Sequence, residues 1–254
     1  MPDDDSRAGG AKGGSLEIRT LDVDGRRIAY RRREGASPSI LFLPGYASDM
    51  EGTKALALDA FAENRGTGMV RFDYSGTGSS PGEFHQGTLA LWLEEALAVL
   101  DRVAEGPVIV VGSSMGGWIA LHLALRRPER IRALVGIAAA PDFTDWGFPE
   151  VLRATLKEQG QLGGDVGARL MTHRFWESGQ QLLLLGGEID VRCPVRLIHG
   201  DADTDVPVDV AMRTMARLRS ADVQLTIIKD GGHRLSEPHQ LDAILRTVAA
   251  FVEP

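Results

Sequence analysis

Short solid runs of Val, Ile and Leu alternate along this chain with longer stretches whose apolar residues recur at helical spacing. The runs are Ile40–Leu43, Met69–Phe72, Val108–Val111, Ala133–Ile137, Val195–Ile198 and Val223–Ile228. Solid apolar runs this short mark strands covered on both faces, as in a parallel sheet. The stretches between or after them, Lys54–Glu63, Leu89–Val103, Met115–Leu125, Val208–Leu218 and Gln240–Val252, read as helices. Ahead of them, polar and apolar positions alternate over Ser15–Val23 and resume through Tyr30 after Asp24-Gly25, a hairpin signature. Strand–helix alternation of this kind predicts a doubly wound α/β domain.

The rhythm breaks from Pro141 to Val191, about fifty residues, too long for a connection without structure of its own. A third of the chain's aromatics fall there: Phe143, Trp146, Phe148, Phe175 and Trp176. Two compatible readings stand. The segment is an extra helical layer packed on its aromatics, or a lid at about 141–190 that walls a site at the strand C-termini. Residues 1–14, rich in glycine, read as a disordered tail, leaving 15–254 as one domain.

A net charge of −7 makes nucleic acid and anionic membranes poor partners. The exception is Arg26, Arg27, Arg31, Arg32 and Arg33, read as solvated charge on an edge hairpin rather than a binding patch. One cysteine, Cys193, excludes an internal disulfide and a cysteine metal cluster. No apolar run is long enough to span a bilayer. The acidic start, Met1-Pro2-Asp3-Asp4-Asp5, resembles neither a signal nor a transit peptide, so a cytoplasmic protein is expected.

The chemistry concentrates where Val108-Ile109-Val110-Val111 runs into Gly112-Ser113-Ser114-Met115-Gly116 and a helix begins. A strand–turn–helix of this form presents its serine in a strained turn, with no room for side chains two residues to either side. Gly112 and Gly116 meet that condition for Ser114; around Ser113 the same positions hold Val111 and Met115. Acyl transfer also needs two backbone N–H groups aimed at the developing oxyanion. Met115 at the helix start supplies one. Tyr46, after Pro44-Gly45 at the end of an earlier strand, supplies the other.

A serine hydroxyl needs a base, and the base a carboxylate, in the chain order Ser, acid, His. Of six histidines, His233 on the glycine-rich loop after the last strand is placed for the base. His122, mid-helix, and His199, within a strand, read as packed residues, and His239 as a cap. Gly200-Asp201-Ala202-Asp203-Thr204-Asp205-Val206-Pro207 offers three carboxylates, which strand spacing alone does not separate. A calcium loop would need further ligands that Val206-Pro207 ends.

Gly112-x-Ser114-x-Gly116, Gly200-x-x-Asp203-x-x-Val206-Pro207 and Gly232-His233 together resemble the α/β-hydrolase superfamily across residues 15–254. Further stretches resemble its mitochondrial palmitoyl-protein thioesterase and acyl-glucuronide esterase branch. These are Phe42-Leu-Pro-Gly-Tyr-Ala-Ser-Asp-Met50, Gly52-Thr-Lys-Ala-Leu-Ala57, Arg71-Phe-Asp-Tyr-Ser-Gly76 and Val111-Gly-Ser-Ser-Met-Gly-Gly-Trp118. The resemblance implies an α/β-hydrolase fold, a mostly parallel eight-stranded sheet with helices on both faces and a small lid, and Asp203 as the acid. It implies a serine hydrolase without cofactor or metal, acting on an ester or thioester of a small molecule or an S-acylated protein. Trp146, Phe148 and Trp176 are the candidate substrate-binding residues. The alternatives are a small-molecule carboxylesterase and a non-catalytic binding module on the same scaffold.

Overall fold

The computed structural model describes residues 16–163 and 170–252, so the tail expected at 1–14 lies outside the described residues. The chain runs β1 (Arg19–Val23), β2 (Arg26–Arg33), β3 (Ala36–Leu43), α1 (Thr53–Arg65), β4 (Thr67–Phe72), α2 (Leu89–Arg102), β5 (Val108–Ser113), α3 (Met115–Arg126) and β6 (Ile131–Ile137). There follow α4 (Phe143–Trp146), α5 (Glu150–Gln159), β7 (Gln161–Leu162), β8 (Met171–Thr172) and α6 (His173–Gln180). The chain closes with β9 (Val195–Gly200), α7 (Val208–Arg217), β10 (Val223–Ile228) and α8 (Pro238–Val252).

Eight strands form one sheet in the order β1-β2-β4-β3-β5-β6-β9-β10, while β7 and β8 pair separately. β2 is antiparallel to β1 and β4, and the remaining neighbours run parallel. Alternation along β5 explains its solid apolar run. Val108 and Val110 face Trp92 and Leu93 of α2 and Ile119 of α3 in one core layer. Ile109 and Val111 face the other, with Leu58 of α1 and Ile244 of α8. Parallel pairing brings the C-terminal ends of β3, β5, β9 and β10 to one edge of the sheet, where ligands bind in such folds.

The arginine cluster corrects one expectation. β2 is an inner strand, and Arg26, Arg31 and Arg33 pair with acids from neighbouring elements rather than standing solvated at an edge, while Arg27 is exposed. Arg26 pairs with buried Glu95 at 2.9 Å, Arg31 with Glu51 at 2.6 Å, and Arg33 with Asp59 at 2.9 Å.

The interruption between β6 and β9 carries α4, α5, the β7–β8 ribbon and α6, and is fastened to α3. The buried Asp142 carboxylate accepts the N–H groups of Leu184 and Leu185 at 2.8 and 2.7 Å, closing the segment on itself. From α3, Trp118 Nε1–H and His122 Nε2–H both donate to the Leu182 carbonyl, at 3.0 and 2.9 Å. Burial pushes His122 down to about 4, below the ordinary value for histidine near 6.5.

That shift gives an acid sensitivity with a definite sign. Below pH about 6.5 the unfolded chain takes up a proton that folded His122 refuses, so stability falls until about pH 4. A shift of this size corresponds to roughly 3 kcal/mol. Melting temperatures of the wild type should therefore drop more between pH 7 and pH 4.5 than those of His122→Gln. Parallel curves for the two proteins would remove this assignment.

Candidate active site

Ser114 stands between β5 and α3 at φ 53° and ψ −118°, a conformation that side chains other than glycine rarely adopt. The surrounding backbone holds it there. Its N–H donates to Ile137 O at 2.9 Å, and its carbonyl accepts from Gly117 and Ala140 at 2.9 and 3.1 Å. The glycines are required by contact. A Cβ on Gly112 would stand 2.3 Å from Gly116 O, and one on Gly116 would stand 2.1 Å from Leu43 O.

The loop after β9 and the loop after β10 pack closely enough that a Cβ on Gly200 would meet Gly231 O at 2.0 Å. That proximity delivers His233. Its Nδ1 lies 2.8 Å from Asp203 Oδ2 and its Nε2 lies 3.0 Å from Ser114 Oγ. The Asp203 side chain is fully buried. Burial works against its charge, but hydrogen bonds from His199, His233 and Val206 N–H outweigh it and hold the carboxyl well below its ordinary range. Ionised Asp203 therefore accepts from His233 Nδ1–H, which leaves Nε2 free to accept from Ser114 Oγ–H.

The three acids of this loop separate by what they touch. Asp203 faces His233. Asp201 accepts the Asp230 N–H at 2.6 Å and so fastens the loop that carries His233. Asp205 is exposed, and its own N–H donates to Asp203 Oδ1 at 2.9 Å.

Two neighbours were not legible as part of the site. His199, expected only to pack within its strand, turns Nε2–H to Val206 O at 2.9 Å and lies 3.4 Å from Asp203 Oδ2. Tyr46 carries a candidate backbone donor, but its ring also joins an aromatic cluster. Its centroid lies 4.9 Å from that of Phe175 and 5.9 Å from that of Trp92. Its hydroxyl donates to Leu170 O, tying the loop after β3 to the segment between β6 and β9. A tyrosine read for its N–H alone gives no signal of this.

Met115, as the first residue of α3, has its N–H outside the helix ladder. Among the described residues, no carbonyl accepts from the Tyr46 N–H. Two cavities adjoin Ser114 and His233. One, of about 210 Å³, is walled by Ala140, Phe143, Trp146, Phe148 and Val206. The other, of about 460 Å³, is lined mainly by polar groups from the loop after β3, the start of α1 and the His233 loop. Trp146 and Phe148 thus stand where substrate-binding residues were expected. Trp176 does not: its Nε1–H donates to Thr144 O at 2.8 Å and its ring packs on His173, away from both cavities.

Asp203, Asp205 and His233 place ligand atoms within 4.8 Å of one another, the geometry of a small cation site. The donor set argues for proton transfer instead, because the His233 Nε2 is engaged with Ser114 Oγ and its Nδ1 with Asp203.

Comparison with known proteins agrees with the fold. The α/β-hydrolase fold family matches residues 38–168. The chain is 37% identical over 235 residues to the mitochondrial palmitoyl-protein thioesterase ABHD10 of Homo sapiens, covering 89% of this chain and 76% of that protein. The mouse α/β-hydrolase domain-containing protein 10 superposes with a TM-score of 0.89 at 36% identity, covering 93% of this chain and 98% of that one. Est1E of Butyrivibrio proteoclasticus, at 21% identity and a TM-score of 0.77, shares the fold. The animal relatives are mitochondrial proteins, which overturns the cytoplasmic expectation. That expectation rested on an acidic start that lies outside the described residues. Among the described residues no helix is long and apolar enough to cross a membrane. Fold, sequence identity and structural superposition agree: the chain is a hydrolase that belongs to the α/β-hydrolase family.

Proposed function

We propose that the chain is a serine thioesterase and esterase that cleaves apolar acyl groups through an acyl-enzyme. The observation that carries this reading is the unbroken hydrogen-bonded line from Ser114 Oγ through His233 to Asp203. Ser114 Oγ attacks the acyl carbonyl as His233 Nε2 takes its proton, and Asp203 holds the imidazole and offsets its charge. The Tyr46 and Met115 N–H groups stabilise the oxyanion. His233 then protonates the departing thiol or alcohol and activates the water that releases the acid. The name of the human relative, a palmitoyl-protein thioesterase, supports a thioester substrate, including an S-acylated protein.

In this reading the segment at about 141–190 is a lid, and its Trp146 and Phe148 line the acyl site. The apolar cavity of about 210 Å³ lies below the usual range for ligand pockets, roughly 300–1,000 Å³. It takes the carbonyl-proximal part of a long chain, with the remainder running out past the lid. The same size favours a second reading, a small-molecule esterase for short acyl groups.

A homologous series of acyl thioesters and p-nitrophenyl esters separates the two. Each methylene buried against Phe143, Trp146 and Phe148 contributes about 0.8 kcal/mol, so kcat/KM should rise about three- to fourfold per carbon until the cavity fills. Trp146→Ala should flatten that slope, and Trp176→Ala should keep it. A flat series with an acetyl optimum favours the short-chain esterase. Absence of hydrolysis on every substrate, with no fluorophosphonate adduct on Ser114, refutes both readings.

A further inference from the structure

Two imidazoles stand on the Asp203 carboxylate, and only that of His233 reaches Ser114. His199 is the other. It is buried near the end of β9, in register with Ile227 of β10, so the sheet rather than a loop holds it. Its Nε2–H points between two acceptors, Val206 O at 2.9 Å and Asp203 Oδ2 at 3.4 Å. Val206 N–H in turn donates to Asp203 Oδ1 at 2.8 Å. The three residues close a ring. The imidazole holds the Val206 peptide, that peptide holds one carboxylate oxygen, and the imidazole abuts the other. The carboxylate cannot turn about its Cβ–Cγ bond without breaking a contact.

Packing alone does not call for a histidine here. The other buried β9 side chains of the core are Val195, Leu197 and Ile198, and an imidazole costs more to bury than these unless its N–H is bonded. Val206 O needs one donor, yet the N–H that serves it also faces the ionised acid. Burial works against the Asp203 charge, and the contact with His199, then that with His233, favours it. An oxygen shared between two donors gives less of its charge to each. His199 thus competes for Oδ2 with His233 Nδ1–H, which lies 2.8 Å away.

We infer that His199 is a positioning residue for the triad. It locks the Asp203 carboxylate in the orientation that meets His233 and takes up part of its charge, so that His233 sheds its proton and serves as base at a lower pH than Asp203 alone would allow. The inference rests on the serine-hydrolase reading and adds a residue that lines neither cavity beside Ser114. The other charged groups about the site are Asp205 on the acid loop, Arg234 beside His233, and Asp49 and Lys54 across the polar cavity. All of them stay in place in the variants that test the idea.

His199→Phe keeps a ring and removes the donor, whereas His199→Gln restores an amide N–H near the Nε2 position. On a butyryl thioester, His199→Phe should lose about tenfold in kcat, with KM changed less than about twofold. Its kcat/KM at pH 6 relative to pH 8 should fall about threefold below the wild-type ratio, because His233 keeps its proton to higher pH. His199→Gln should recover the pH ratio and most of kcat. Equal losses in the two variants, or a wild-type pH ratio in His199→Phe, overturn the inference and reduce His199 to packing, with the serine-hydrolase reading intact. A second measurement leaves position 199 unchanged. In protein labelled with nitrogen-15 histidine, the His199 Nε2–H resonance should move upfield in Asp203→Asn, where an amide nitrogen replaces the acceptor. An unmoved resonance also overturns the inference. A wild type that hydrolyses no acyl substrate overturns the hydrolase reading and the inference together.

Discussion

Replacing Ser114 with alanine is expected to lower kcat on a butyryl thioester by about 10⁶, the loss seen when a serine nucleophile is removed from such a triad. Ser113→Ala is expected to keep most of the activity. The two serines are adjacent, so the contrast tests geometry rather than composition. Only Ser114 takes the φ of 53° that lifts a side chain out of the strand end, and only Ser114 has its Oγ 3.0 Å from His233 Nε2. Ser113 is the last residue of β5, in register with Ile137 of β6. A small residual rate in Ser114→Ala is expected, because the proposed oxyanion donors, the Tyr46 and Met115 N–H groups, are left in place. A fluorophosphonate probe followed by peptide mass analysis should label Ser114 in the wild type and Ser113→Ala, and leave Ser114→Ala unlabelled. If Ser113→Ala is the inactive protein, the elbow is centred one residue early.

The parts of this site readable from sequence are those fixed by local backbone demands. The run Val108–Val111 had to be a central strand because it offers apolar groups to both faces, and both faces prove covered. Gly112 and Gly116 had to flank Ser114 because any side chain there would strike backbone within about 2.3 Å. What could not be read depends on contacts between residues far apart in the chain. Nothing local assigns Asp201 to the N–H of Asp230, 29 residues on; that contact follows from how closely the loops after β9 and β10 approach. Trp176 is a further case: Thr144 O, 32 residues away in the chain, accepts its indole N–H, and the ring packs on His173 rather than lining either cavity. β2 was misread as an edge because hairpin chemistry specifies its partner β1 and is silent about β4 on the other side.

Asp203→Asn is expected to cost about 10⁴ in kcat with little change in fold. Each oxygen of Asp203 has its own demand. Oδ1 accepts the N–H groups of Asp205 and Val206 at 2.9 and 2.8 Å, so an asparagine must keep its carbonyl oxygen there. Its amide nitrogen then falls at the Oδ2 position, facing His233 Nδ1 at 2.8 Å and His199 Nε2 at 3.4 Å. An amide N–H at that point forces His233 Nδ1 to accept and moves the ring proton to Nε2, where it meets Ser114 Oγ. The base is then occupied before the reaction begins. Asp205→Asn should change kcat less than about threefold, because its side chain is exposed and its contribution to the acid loop is a backbone N–H that the substitution retains. Asp201→Asn should also be mild, since an amide oxygen can still accept from Asp230 N–H. Asp201→Ala should cost more, because it releases the His233 loop. The measurement is kcat for the four variants on one thioester, with circular dichroism to confirm folding. The ranking Asp203→Asn, then Asp201→Ala, then the other two follows from which atoms each carboxylate touches, and a larger loss at Asp205→Asn than at Asp203→Asn would move the acid to Asp205.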